Sequence, residues 1–463
     1  MLRITRFISI FTWMLWSLLG ASACDSRQVV LVKLESKSPE TSSIGVYFRH
    51  GSMPWGSFGV PGSSDQFGIE FPIGVDGNLE IKAHTYANDV PCDLGSAAGV
   101  LSLAGKYRQD LTISASRSSQ SCRAGTEQPF ADAMTTGKWS VYAASAKDVW
   151  LVGERGLILR WDGSRYTRVP LPASLSTLPP TWNTVVGTTR GEILIAGTAG
   201  AVLRWTPTAG MLEPLTVLSP VGVLLTSLRW NQASTSDPNS GDVWFAGTGG
   251  IVGYYNPAMG VLISAASLAE SGGAAVNVDI NAIACLSINR PNGRLFDCFF
   301  AANGGKLLRY APANLPANCV SLATGTTNDL TGVAIVANMS TMIYDIRIVG
   351  KNRTILRGTA PLNGSPPVPT FNNYAAYLPP GFNNDFLAIQ ADDKYGAWVS
   401  GSKGALLYWN YTAAVPGSEI PFRLLNNQLT DNVSSLSVLG DGVFMSGANN
   451  LISYSGPLFT PMP

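Results

Sequence analysis

The chain has 463 residues, 46% of them hydrophobic and only 13% charged, with 48 glycines and 29 prolines. Many short strands separated by turns fit that balance better than helices do. With 31 basic and 30 acidic side chains the net charge is +1, so there is no long-range field to gather nucleic acid or anionic lipid.

Residues 1–23 start with Arg3 and Arg6, run apolar from Phe7 to Leu19 and close on Gly20, Ala21, Ser22 and Ala23. This is the layout of a secretory signal peptide, and the apolar run is shorter than the roughly 20 residues of a membrane span. Ala21-Ser22-Ala23-Cys24 resembles a bacterial lipobox with Ala21 at the position usually held by Leu. The resemblance implies acylation of Cys24 and a lipid-tethered protein at the outer membrane or cell surface. Ordinary cleavage, giving a periplasmic or secreted soluble chain, is the alternative.

Residues 24–124 carry their own strands, at 28–34, 43–48, 66–73, 78–87 and 109–115. Period-two alternation shows in Leu79, Ile81 and Ala83, and the expected unit is an immunoglobulin-like or transthyretin-like β-sandwich. Both histidines, His50 and His84, lie here. His84 reads as a half-buried, hydrogen-bonded strand residue, and Trp55 sits on a loop that either covers the sandwich end or contacts a partner. Residues 125–137 read as a linker, or as a strand lent to the following domain.

From residue 138 to 463 one phrase recurs: an apolar strand ending in glycine, a tight turn, and a second apolar strand ending in an aromatic. It appears as DVWLVGERGLILRW (148–161), EILIAGTAGAVLRW (192–205), DVWFAGTGGIVGYY (242–255), FFAANGGKLLRY (299–310), IRIVGKNRTILRG (346–358), WVSGSKGALLYW (398–409) and VFMSGANNLISY (443–454). The anchors Gly153, Gly197, Gly247, Ala302, Gly350, Gly401 and Gly447 lie 44 to 55 residues apart. That period with alternating hydrophobicity predicts one four-stranded sheet per repeat, and seven sheets with two apolar faces each must stack radially into a seven-bladed β-propeller. The ring closes either with 456–463 or with a strand from the linker. The fold class is therefore all-β: a small N-terminal β-sandwich followed by the propeller.

The phrase DVWLVGERGLILRWDG resembles repeats of photosystem-assembly-factor and kelch-like propellers, and DVWFAGTGGIVGYYNPAMG is similar to the PQQ-type repeat of outer-membrane assembly lipoproteins. These resemblances imply blades rather than one activity, since such scaffolds serve assembly factors, adhesins and enzymes.

The turns between the second and third strands supply a candidate binding face: Glu154, Arg155, Thr198, Asn303, Lys351, Asn352, Arg353, Lys403 and Asn449. The set is polar and mildly basic, suited to an acidic partner or a glycan. No histidine follows His84, so a Ser-His-Asp triad or histidine metal site is excluded from the propeller; sialidase Asp boxes are absent. No catalytic residue, metal site or cofactor is expected. Arg160, Arg204, Arg309 and Arg357 recur before the terminal aromatic and are read as packing residues paired to strand acids such as Asp148 or Asp345. Trp150, Trp161, Trp205, Trp244, Trp398 and Trp409 follow the repeat and are read as blade packing.

Six cysteines are present. The expected bridges are Cys92–Cys122 and Cys285–Cys298, leaving Cys319 over. The function expected is a non-enzymatic envelope lipoprotein that binds protein or assembles a surface complex. The alternatives are a structural module of an envelope or appendage machine, or a carbohydrate-binding or carbohydrate-active propeller, a lyase or glycosidase working through Asp392, Asp393 and Tyr395.

Overall fold

The computed structural model describes residues 27–454 except 40, 52, 54–55, 73, 88–91, 105–106, 118–125, 130–138, 219–223, 236–241, 258–262, 271–272, 291–292, 311–317, 339–342, 362–368, 379–381, 393–395, 410–421, 425–431, 440–441 and 448–449. Cys24, Cys122, Trp55, Asp393, Tyr395 and Asn449 lie outside the described residues. Almost everything described is strand or turn, and no described helix is long and apolar enough to cross a membrane.

The N-terminal region forms two sheets. One has three strands, with Arg27–Glu35 central, antiparallel to Gln66–Pro72 and parallel to Arg108–Ser114. The other has five, led by Thr41–His50, Asp76–Ala87 and Cys92–Ala104. Alternation decides what each buries: Val30, Val32 and Leu34 from the first sheet meet Ile44, Val46, Leu79, Ile81 and Ala83 from the second in a single core. The strands Gly56–Pro61 and Cys92–Ala104 extend the sequence expectation. Their glycine, serine and alanine content carries little β signal.

Seven further sheets follow among the described residues, each an antiparallel meander in which the repeat phrase supplies the two middle strands. In the first, Ser140–Ser145, Asp148–Val152, Ile158–Trp161 and Tyr166–Arg168 pair in that order. The third and fourth gain a short fifth strand, Val217–Leu218 and Ala269–Glu270, each pairing in parallel with the outermost strand. Such additions cover an otherwise open edge.

Apolar clusters fill the spaces between consecutive sheets. Trp150 and Ile158 of the first sheet meet Trp182, Val185 and Ile195 of the second. The last cluster joins Phe444 and Leu451 of the seventh sheet to Val141, Val149 and Trp161 of the first, so the series returns to its start. Closure uses the segment read as a linker: Thr126–Pro129 is the outermost strand of the seventh sheet, antiparallel to Asn450–Tyr454 with Leu451 opposite Gln128. Sheet seven thus joins chain from both ends of the repeat array.

The N-terminal sheets rest against this array beside the fifth and sixth sheets. The buried Tyr47 donates its hydroxyl to the Tyr377 carbonyl at 3.2 Å and meets the buried His84 ring edge-on.

Candidate functional site

The repeat phrase bends at one small turn that six of the sheets build with the same backbone. After the extended anchor residue, the second turn residue enters the left-handed region: Arg155, Ala199, Gly249, Gly304, Asn352 and Lys403 have φ between 52° and 69°. All six are exposed. In sheets one to four and six a glycine follows, and at Gly250 no other residue fits, because φ is +74° and a Cβ would lie 1.8 Å from the Val276 carbonyl oxygen.

The turns sit at the same end of the sheets as the connections leading into each next first strand, and the two are laced together. The first turn residue bonds the residue just before the first strand of its own sheet: Thr198 N to the Thr181 carbonyl at 2.9 Å, Asn303 N to the Asp279 carbonyl at 3.1 Å, Lys351 N to the Asp329 carbonyl at 2.9 Å and Ser402 N to the Asp385 carbonyl at 2.8 Å. The exposed tip amide instead donates to the side chain at the corresponding position before the next sheet. Gly249 N reaches Asp279 Oδ1 at 3.0 Å, Gly304 N reaches Asp329 Oδ1 at 3.0 Å, Asn352 N reaches Asp385 Oδ1 at 2.8 Å and Lys403 N reaches Asn432 Oδ1 at 3.2 Å. Lys351 Nζ adds an ion pair to Asp329 at 2.7 Å. Lys351, then the Gly304 amide, hold the Asp329 carboxyl below its ordinary range.

These bonds sort the expected binding residues. Thr198 Oγ1 accepts from Thr181 N at 3.0 Å and Asn303 Oδ1 accepts from Asn281 Nδ2 at 2.7 Å, so both tie their turn to the start of the first strand of the same sheet. Asn352 Nδ2 donates to Asn328 Oδ1, and Arg353 Nη2 donates to the Ala375 carbonyl at 3.3 Å. Glu154, Arg155 and Lys403 remain: their side chains make no hydrogen bond or ion pair among the described residues.

Beneath the turns, a β-bulge recurs in the first strand of sheets two to six, leaving Asn183, Asn231, Asn281, Thr331 and Leu387 outside the register. An extra residue turns its side chain toward the neighbouring sheet. Asn183 Nδ2 donates to the Trp230 carbonyl at 2.9 Å, Asn231 Nδ2 to Ile280 at 2.7 Å, Asn281 Nδ2 to Leu330 at 2.8 Å, and Thr331 Oγ1 to Phe386 at 2.7 Å. Ser434 Oγ makes the corresponding bond to Trp139 across the closure, at 2.8 Å. Farther along the same strands Gln232, Ser437 and Gln390 accept backbone N–H groups of the next sheet. The groups that cross between first strands in these bonds are amides and hydroxyls. Sequence reading missed this set, although the pairs Trp182-Asn183, Trp230-Asn231 and Ile280-Asn281 repeat at the sheet period.

The recurring arginines pack as expected. Arg160 pairs with Asp148 at 2.7 Å and lies between the Trp150 and Trp205 rings. Arg309 pairs with Asp297 at 2.6 Å, Arg357 with Asp345 at 2.8 Å, and Arg204 with Glu213 at 3.0 Å. Trp150, Trp161, Trp205, Trp398 and Trp409 are buried. On the opposite end, Asp392 accepts the Gly396 amide at 2.6 Å within its own hairpin and the hydroxyl of Tyr408 on the third strand of the same sheet at 2.5 Å. Among the described residues no group of three histidine, cysteine or acidic side chains is placed to hold a metal. Cys285 and Cys298 stand directly opposite each other in sheet four and are disulfide-bonded. Cys319 is a buried thiol, its pKa pushed up to about 11 by burial and then by Glu270.

Comparison with known structures places the architecture. YCF48 bound to D1 peptide superposes with a TM-score of 0.50 at 14% identity, over 72% of this chain and 96% of that one. The fold is that of a β-propeller. It resembles the photosystem assembly factor YCF48; YCF48 from Cyanidioschyzon merolae gives a TM-score of 0.48 at 15% identity, over 72% of this chain and 99% of that one. The WD40 β-propeller domain of Doa1 gives 0.49 at 10% identity, over 72% of this chain and 98% of that one. No protein-family model matches the sequence, and no curated protein does. At these identities the likeness concerns the fold.

Proposed function

We propose that the chain is an exported, non-enzymatic binding protein: a seven-bladed propeller carried on a β-sandwich, tethered to the envelope through acylated Cys24, and docking a partner protein on the face made by the turns described above. The observation that carries this reading is the choice of residue at the turn tips. The left-handed backbone there favours glycine, which sheets three and four use at Gly249 and Gly304. Sheets one and six hold Arg155 and Lys403 at the same position, where a β-carbon costs roughly 1 kcal/mol. Long cations kept at that cost, exposed and uncommitted among the described residues, belong to a surface that contacts something else. YCF48, a protein of the same fold, is described bound to a peptide, and this supports a peptide- or protein-binding use of the scaffold.

Photo-crosslinking tests the reading. A benzophenone side chain at Ala199, on the turn face, is expected to give a discrete protein adduct in the envelope of the native cell. The same group at Arg190, on the hairpin at the opposite end, is expected to give none. Adducts from Arg190 alone would refute the face assigned here.

A further inference from the structure

The turn face has two electrostatic halves. In the connections entering sheets four, five and six, the residue that receives the neighbouring tip amide is an aspartate: Asp279, Asp329 and Asp385. Entering sheet seven the acceptor is the neutral Asn432, and it caps the tip that carries Lys403. Entering sheet two, the turn of Arg155 is tied instead through Gly156 N to the Pro180 carbonyl at 2.8 Å, with no carboxylate at that position. Entering sheet three the corresponding residue is a cation, Arg229, exposed and hydrogen-bonded through Nη2 to Asn183 Oδ1 at 3.3 Å. Among the described residues, the stretch of the face from the Lys403 tip through sheet one to the connection entering sheet three thus gathers Lys403, Arg155 and Arg229 with Glu154, and it is bounded by Asp385 at the sheet-six turn and Asp279 beyond the sheet-three tip.

The same half carries the two most exposed large apolar side chains of the described residues. Leu178 is 88% exposed on the connection between sheets one and two, and Leu224 is 72% exposed between sheets two and three. Both stand beside turns whose own glycines, Gly156 and Gly200, pack under these connections. Exposed leucines within a cationic arc fit an occupant that brings apolar side chains and carboxylates together.

We propose that this half of the face, Lys403, Arg155 and Arg229 with Leu178 and Leu224, is the docking site for an acidic segment of a partner protein that carries apolar side chains among its carboxylates. The inference rests on the protein-docking reading above and adds the chemistry of the partner.

The test uses three fluorescein-labelled 12-residue peptides sharing the same leucines, with the remaining positions rich in Glu, Gln or Lys, and the full mature chain. The Glu peptide is expected to bind at least tenfold tighter than the Gln peptide in 50 mM salt, with the gap closing by 500 mM. The variant R155G/K403G/R229Q is expected to lose the gap. Its two glycine changes suit the backbone, and an unchanged melting profile will show that it folds. Equal binding of the Glu and Gln peptides, or a Glu preference that survives the triple variant, overturns the charge assignment. A DNA 12-mer that matches the Glu peptide's affinity overturns the assignment to a protein segment. The benzophenone at Ala199 separates the two claims. Crosslinks to Gln and Glu peptides alike leave the docking face standing and remove the acidic partner, whereas crosslinks only from Arg190 remove both.

Discussion

Asp345 holds two arginines at once. Its Oδ2 accepts from Arg347 Nε at 2.9 Å and Nη2 at 2.8 Å, while its Oδ1 accepts from Arg357 Nε at 2.8 Å. Arg347 is fully buried, donates also to the Trp409 carbonyl at 3.1 Å, and lies over the Trp409 ring, so this cluster joins sheets five and six. Removing the carboxylate strands a buried guanidinium. Asp345→Asn is expected to cost about 3–5 kcal/mol in denaturant unfolding. Asp148→Asn, whose Arg160 partner is part-exposed, is expected to cost about 1 kcal/mol or less. Equal losses at the two sites would contradict this ranking.

The bulge bonds make a second prediction. At Leu387 the bulge is present but its side chain cannot donate, unlike Asn183, Asn231 and Asn281. Leu387→Asn is expected to raise stability by about 0.5–1.5 kcal/mol by adding the missing bond to sheet seven. Asn231→Leu is expected to lower it by about 1–3 kcal/mol. Chemical denaturation of the two variants reads both signs.

The turn tips give a third. Arg155→Gly and Lys403→Gly are each expected to stabilise by up to about 1 kcal/mol, because the backbone is already left-handed there. Gly250→Ala is expected to destabilise by more than about 2 kcal/mol, since its Cβ has nowhere to go beside the Val276 carbonyl. Thermal unfolding distinguishes gain from loss.

The Asp329 carboxyl titrates below its ordinary value because of Lys351 and the Gly304 amide. A depressed acid contributes stability that is present above its unfolded pKa and fades as the pH falls through the folded one. Its NMR titration midpoint is expected below the ordinary aspartate value of 3.8, and Lys351→Met is expected to move it upward. Cys319 shifts the other way. With its pKa at about 11, the buried thiol is expected to resist Ellman's reagent at pH 8 until the protein unfolds.

The repeat was legible because the middle strands of each sheet alternate strongly and end on glycine and on an aromatic, as in Asp148 to Trp161. Val217–Leu218 and Ala269–Glu270 were not: two residues carry no period, and their pairing is decided by the sheet edge they cover. Thr126–Pro129 could be read either as linker or as a lent strand, because what makes it an outer strand is a partner more than 300 residues away at Asn450–Tyr454. In the site, the polar turns were visible but their division of labour was not. Thr198 and Asn303 share the turn chemistry of the exposed tips, and only the return of the chain to the first strand of the same sheet places Thr181 and Asn281 where these side chains accept from them. Arg229 lies outside the repeat phrase, so nothing in the pattern drew it into the set.

Hydroxyl-radical footprinting of the chain, alone and with its crosslinked partner, tests the central claim most directly. Leu178 and Leu224 are exposed on the turn face, and Met211 is 61% exposed in a hairpin at the opposite end of the sheets. Loss of oxidation at Leu178 and Leu224 with Met211 unchanged is the result expected of a partner docked on the turns. Protection of Met211 with both leucines still oxidised would place the partner on the other face and contradict it.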